Sequence, residues 1–134
     1  MNYASYLNKA AAKLLTIALS VEPVARSRHA AGLVFRRTLL VTGTNKKKTH
    51  PLALEFARNK DATTLHAEVD CLVRWVSRYG VATLPDCELV VVRVSAKGEP
   101  ANSCPCKGCS RALKSFKVGG VYYTEGSSGL LKKL

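Results

Sequence analysis

Two short stretches constrain this chain more than anything else in it: Leu65-His66-Ala67-Glu68 and Ser103-Cys104-Pro105-Cys106-Lys107-Gly108-Cys109. Each reads as the opening of a helix. Together they offer one imidazole, two thiolates in C-x-x-C spacing and a carboxylate. Three N/S ligands, His66, Cys106 and Cys109, leave the fourth position of a tetrahedral zinc open to water, a catalytic layout and not a structural one. Glu68 is then available to carry protons and need not be a ligand. A C-x-x-C alone is a weak signal, shared by redox motifs and half-sites of structural zinc. A closed structural site would need a fourth ligand, and Cys104 is the candidate for it. Against that, C-P-C packs two ligands where the backbone must also enter a helix.

The surrounding chemistry fits a metal. A helix start supplies backbone N–H groups and a positive dipole end, which favour thiolates over thiols. Pro105 suits the non-helical lead-in, having no N–H to leave unpaired. One geometric difficulty follows from periodicity. Residues two apart on a regular helix point about 200° apart, so His66 and Glu68 share a centre only if it lies off the helix end.

Cysteine usage agrees. Five cysteines (71, 87, 104, 106 and 109) are an odd number, with three of them crowded between 104 and 109. That pattern suits a metal site in a reducing compartment better than a disulfide framework, and the expected location is cytoplasmic. No apolar run is long enough to span a membrane, and the start is not that of a signal peptide.

Length and composition bound the rest. At 134 residues, 47% of them hydrophobic, one domain over 1–134 with a real core is expected. The formal net charge of +12 favours an anionic partner, nucleotide phosphate or nucleic acid. From about 3 to 20 the apolar spacing (Tyr6, Leu7, Ala10, Ala11, Leu14, Leu15, Ala18, Leu19) predicts an amphipathic helix, closed by Glu22-Pro23. Arg28 to Phe35 and Leu39 to Thr44 read as a hairpin turning near Arg36-Arg37-Thr38. Residues 43–51 read as a loop, and 52–63 as ambiguous, with a short helical turn ending near Asn59. A second helix carries an apolar stripe of Leu65, Val69, Leu72, Val76 and Tyr79, with Asp70, Arg74, Ser77 and Arg78 off it and Gly80 closing it. Trp75 borders that stripe and is expected in the core. The β-branched run from Glu88 to Ser95 predicts a strand covered on both faces. Lys107 to about Lys117 reads as a helix and Gly120 to Thr124 as a fourth strand, with Tyr122 and Tyr123 on opposite sides of it. Strands alternating with helices imply a sheet covered by helices.

H-A-E at 66–68 and P-C-x-x-C at 105–109, in this order, match the signature of zinc-dependent base deaminases. The chain resembles that superfamily, which includes cytidine, deoxycytidylate, tRNA-adenosine and APOBEC-type deaminases. The resemblance implies an α/β three-layer α-β-α sandwich, cytidine-deaminase-like, over about 29–124, with a minimal sheet of about four strands. It implies one Zn2+ per chain, Glu68 as the catalytic general acid/base, and a metal seated off the helix end. It also points to Asn45, Ala67 and Cys104 as substrate contacts, although the Cys104 side chain departs from the Ser or Glu often found there. Family members usually carry a fifth strand and often a further helix after the strand matched by Val121 to Thr124. Only about ten residues remain here. The expectation is a four-stranded version, or a sheet completed by the tail or by a second copy in a homo-oligomer.

The implied activity is zinc-dependent hydrolytic deamination of cytosine to uracil in a free nucleoside or nucleotide, with ammonia release. A base in single-stranded DNA or RNA is the alternative, favoured by the charge. A zinc-stabilised, non-catalytic nucleic-acid-binding module is the third reading. Lys46, Lys47 and Lys48 beside Asn45, and Lys107, Arg111 and Lys114 along one helix face, are the candidate phosphate or nucleic-acid contacts. His50 ranks low, since a loop histidine before proline is more often structural.

Overall fold

The computed structural model describes residues 4–23, 27–47, 51 and 65–134. The loop residues Lys48 and His50 and the ambiguous 52–63 stretch lie outside the described residues. In chain order the elements are helix α1 (Ser5–Ser20), strands β1 (Arg28–Phe35) and β2 (Thr38–Thr44), helix α2 (Ala67–Tyr79), a 3-10 turn (Leu84–Asp86), strand β3 (Cys87–Val94), strand β4 (Pro100–Ala101), helix α3 (Lys107–Ser115), and strands β5 (Gly120–Thr124) and β6 (Leu131–Lys133).

The sheet runs β2-β1-β3-β5-β6, with β4 pairing off this path onto β3. β1 lies antiparallel to both β2 and β3, and β3 lies parallel to β5 across the α3 connection. The hairpin turn places Arg36 and Arg37 at φ 50° and 65°. Two successive positive φ values match the right-handed twist of the flanking strands, and this turn achieves them without glycine.

Strand alternation divides the core in two. Ala31, Leu33, Leu89, Val91, Val121 and Tyr123 face α2 and α3, packing on Leu72, Trp75, Ala112 and Leu113. Ala30, Val34, Val90, Val92, Val94 and Tyr122 face α1, packing on Leu7, Ala10, Ala11, Leu14 and Ala18. This is the expected three-layer sandwich. The β3 run is buried on both faces, which is why it lacks alternation. Trp75 is buried in the core, edge-on to Phe35 at 6.3 Å between ring centroids.

Two features depart from expectation. The four expected strands are joined by two short ones, giving six. Leu131 to Lys133 returns as β6, antiparallel to β5 with Thr124 opposite Leu131. A three-residue segment ending in two lysines has no period of its own; β5 recruits it. Of the alternatives expected for this edge, the tail is the one that completes the sheet, and β6 itself is short and lysine-bearing, which discourages further strand addition.

The second departure is Asp70, read as lying off the apolar stripe of α2. It is buried, at 5% exposure. Its carboxylate accepts the Thr44 N–H at 3.0 Å and pairs with Lys46 Nζ at 2.9 Å and Arg74 Nε at 3.2 Å. A helix wheel drawn from α2 alone contains only the Arg74 partner; the other two come from β2 and the loop after it.

Candidate metal centre

His66 precedes α2 as its N-cap, in extended conformation at φ −76° and ψ 152°. It is therefore outside the helical period, and the 200° separation from Glu68 does not apply. The close seat of α2 on the sheet depends on Gly43. A Cβ there would lie 2.5 Å from Cys71 N and 2.9 Å from the Ala67 carbonyl oxygen, so only glycine lets the first turn of α2 approach β2. Paired hydrogen bonds between the backbones of Lys46 and Leu65, both 2.9 Å, fix the lead-in to His66.

Cys106 holds the equivalent position on α3. It is the N-cap, at φ −68° and ψ 170°, and its sulfur accepts the Cys109 N–H at 3.4 Å. Both helices thus aim their N-terminal N–H groups and positive dipole ends at one place. The loop that delivers the cysteines is anchored from below. Ser103 Oγ donates to the Val91 carbonyl at 2.8 Å, lies 2.8 Å from Thr124 Oγ1, and accepts the Thr124 N–H at 2.8 Å. Thr124 Oγ1 in turn donates to the Ala101 carbonyl at 2.7 Å.

Among the described residues one group of side chains is spaced to hold a metal ion: His66, Cys106 and Cys109, with their ligand atoms all within 4.8 Å of one another. His66 Nδ1 stands 3.6 Å from Cys106 Sγ and 3.3 Å from Cys109 Sγ. A tetrahedral zinc with ordinary bonds, about 2.1 Å to nitrogen and 2.3 Å to sulfur, sets N and S about 3.6 Å apart. The donor set and its spacing fit zinc. Cys104 is exposed and stands outside this trio, as does Glu68. His66 and Cys106 are exposed and Cys109 is buried, so the centre opens outward on one side.

The electrostatics of these side chains follow from the same contacts. Hydrogen bonds from the Cys109 thiol and from His66 pull Cys106 down to about 3, so it is a thiolate. Cys109 moves up because it donates to that thiolate and is buried. His66 moves up, chiefly through its bond to Cys106. Glu68 is 4% exposed, and burial raises its pKa.

The other sequence-derived candidates divide. Ala67 is buried in the first turn of α2. Asn45 is buried, and its amide links two backbone groups: Oδ1 accepts the His29 N–H and Nδ2 donates to the Ser27 carbonyl, both at 2.8 Å. Cys104 caps its own N–H on Asn102 Oδ1 at 2.8 Å, and its sulfur neighbours the Tyr123 phenol, whose pKa burial and that sulfur push up. Lys46 is engaged by Asp70, whereas Lys47 is exposed. Lys107, Arg111 and Lys114 line the exposed side of α3. Two residues that sequence reasoning passed over, His29 and Arg93, sit at facing register positions on β1 and β3. The signal for them was a polar residue at the inward parity of an otherwise apolar strand.

A helix-flanked mixed sheet with a histidine and a C-x-x-C pair at two helix N-caps defines a zinc-binding hydrolase of the deaminase type. The family model for the cytidine and deoxycytidylate deaminase zinc-binding region matches residues 4–125, and the chain belongs to that family. Its fold is similar to that of the apo dCMP deaminase from cyanophage S-TIM5, at TM-score 0.58 and 22% identity, covering 94% of this chain and 84% of that one. The same phage enzyme in complex with dCMP and dUMP gives TM-score 0.55 and 19% identity, over 89% of this chain and 77% of that one. The cytidine deaminase from Mycobacterium leprae gives 0.52 and 18%, over 99% and 93%. No curated protein sequence matches the chain. Among the described residues no helix is long and apolar enough to cross a membrane.

Proposed function

We propose that this protein hydrolytically deaminates the cytosine of a free nucleoside or nucleotide, with His66, Cys106 and Cys109 holding zinc and Glu68 moving the protons. The observation that carries this reading is the buried Glu68 carboxylate in the first turn of the helix that His66 caps, beside a ligand trio that is open on one side. Zinc held there lowers the pKa of water at its open position towards about 7. The remaining work falls to the chain. Glu68 takes a proton from the attacking water, delivers it to the ring nitrogen beside the amine-bearing carbon, and then assists departure of ammonia. Burial supports that shuttle, because it raises the carboxyl pKa towards the range where both gain and loss of a proton are easy.

The cytosine assignment draws on the fold relatives, a dCMP deaminase and a cytidine deaminase. The preference for a free substrate draws on the aromatic side chains. Among the described residues, Trp75, Tyr122 and Tyr123 are buried, and the exposed Tyr79 ends α2, far from His66. Stacking platforms for a single strand need exposed rings near the site. The exposed basic row Lys107, Arg111 and Lys114, on the helix that begins at Cys106, favours the second reading, a base in single-stranded DNA or RNA. Ammonia release by zinc-loaded protein tests both, on cytidine, deoxycytidine, dCMP and a cytosine-containing single strand. Turnover of the monomers supports the first reading. Turnover of the strand alone replaces it with the second.

A further inference from the structure

The metal centre lies at one end of the sheet. The loop that carries its cysteines is tied to Val91 in the later half of β3, and the lead-in to His66 pairs with Lys46, just past the end of β2. The other end is formed by the tip of the β1–β2 hairpin and the 3-10 turn before β3, where Phe35 stands opposite Cys87 and Val34 opposite Glu88. A cavity of about 380 Å³ opens there, lined by Tyr6, Phe35, Arg36, Arg37, Asp86 and Glu88. That volume is within the range of small-molecule sites.

The lining holds two guanidinium groups and two carboxylates, yet among the described residues no ion pair joins them. Neutral partners hold one group of each sign instead. The Tyr6 phenol, reaching down from α1, donates to Glu88 Oε1 at 2.5 Å, and the second carboxylate oxygen is left for another donor. That bond first, and burial after it, push the Tyr6 pKa up to about 12, so the phenol stays protonated and keeps donating. Arg36 lies over the Phe35 ring with Cζ 5.2 Å from the centroid, which orients the guanidinium without neutralising it. Arg37 and Asp86 stand exposed at the rim.

The hairpin tip adds an independent mark. Arg36 and Arg37 occupy consecutive left-handed positions, at φ 50° and 65°. A two-residue turn of this kind ordinarily takes Asn-Gly or Asp-Gly, and larger side chains there are strained. Arginine needs no such position merely to be solvated. Here the strained turn sets both guanidinium groups beside the cavity.

The ligand chemistry follows from the signs. A pure anion would face Asp86 and Glu88, and a pure cation would face Arg36 and Arg37. Nucleobase amines are uncharged at neutral pH, so a nucleotide would leave the two carboxylates facing its phosphate. A chain terminus carries only one of the two charges. A small zwitterion satisfies both pairs, with its carboxylate on the guanidinium forks and its ammonium on the acids. The rings of Phe35 and Tyr6 supply an apolar wall for a side chain. We propose that this cavity binds a free α-amino acid with an apolar side chain, its carboxylate held by Arg36 and Arg37 and its ammonium by Asp86 and Glu88. The site is separate from the metal centre and does not depend on the reaction assigned there.

The test is calorimetry and thermal melting on the zinc-loaded full chain. The probes are L-phenylalanine and L-leucine, against hydrocinnamate, which lacks the ammonium, phenethylamine, which lacks the carboxylate, and inorganic phosphate. The amino acids should bind with a dissociation constant below about 1 mM, and hydrocinnamate and phenethylamine about 10- to 100-fold more weakly than L-phenylalanine, as loss of charge-assisted hydrogen bonds predicts. The double variant Arg36→Asn, Arg37→Gly should lose binding by a similar factor while its melting temperature holds or rises, because the turn is relieved. Asp86→Asn with Glu88→Gln should weaken L-phenylalanine but not hydrocinnamate. Unchanged zinc content confirms that the far end is intact in each variant. Absence of amino-acid binding overturns the proposal, and so does binding that survives the Arg36→Asn, Arg37→Gly change, as chelation at the zinc would. Phosphate bound as tightly as the amino acids would make this an anion site and overturn it as well.

Discussion

Helices α1 and α2 pack on opposite faces of one sheet and use their buried positions differently. The residues that α1 buries are Leu7, Ala10, Ala11, Leu14 and Ala18, every one of them apolar. It begins at Ala4 without a side-chain cap and has no acidic residue in its first turn. α2 buries Val69, Leu72 and Trp75 in the same way, but it also buries Glu68 and Asp70. Taking carboxylates out of water is expensive unless something compensates them. Asp70 is compensated by the Thr44 N–H, Lys46 and Arg74. Glu68 has less: its own backbone N–H, His66 and Cys109 are the groups that favour its charge, and desolvation outweighs them. The α1 face is organised for stability. The α2 face gives up some stability to keep a buried carboxyl in its first turn, beside His66 and Cys109.

The largest effect that would sharpen this contrast is loss of the metal. Cys109→Ala should reduce bound zinc from one per chain to a small fraction, measured by elemental mass spectrometry after dialysis. Retention of full zinc would mean that the trio is not the ligand set. Next comes a pair of core changes on the two faces. Leu14→Ala, at 0% exposure, should lower unfolding free energy by about 2–5 kcal/mol while leaving ammonia release per folded molecule unchanged. Asp70→Ala should cost about 1–3 kcal/mol, by stranding the Thr44 N–H, and should also reduce turnover because it loosens the Lys46 and Leu65 lead-in to His66. Denaturant melts alongside specific activity separate the two outcomes. Equal behaviour of the two variants would break the comparison.

A smaller effect is expected from pH. Burial first, and then the charges of Arg93 and His66, depress His29 from 6.5 to about 4. A histidine whose folded pKa is lowered resists protonation in the native state. Its contribution is complete above about 6.5 and is lost as pH falls towards 4. In metal-free protein, melting temperature should fall across that window, and the fall should be shallower in His29→Asn. The smallest change is Cys104→Ser, which should keep stoichiometric zinc, since Cys104 lies outside the trio. Zinc loss there would restore the four-ligand site.

Much of this was legible because it depends on local chemistry. The strand over Gly120 to Thr124 and the helix starts at His66 and Cys106 coincide with their sequence signals, since caps, glycines and β-branched runs act within a few residues. The convergence of His66, Cys106 and Cys109 was legible because the motif spacing is specific. What escaped depends on partners distant in the chain. The sequence left the tail as one of several ways to complete the sheet, and β5 decides it by offering an edge; Asp70 is buried because β2 supplies a donor, and the His29–Arg93 pair exists because two strands share a register. Arg93 did interrupt an otherwise apolar run, a mark whose meaning emerges only when its strand is known to be covered on both faces.

The most direct test of the division of labour at the centre is zinc content and ammonia release measured on the same preparation of Glu68→Ala. Zinc should remain at one per chain, while release from dCMP or deoxycytidine falls by about 10²- to 10⁴-fold or more, the share expected for a positioned general acid/base. A variant that still turns over substrate at the wild-type rate, or one that loses its zinc, would contradict the assignment of Glu68 as the proton carrier beside a three-ligand metal.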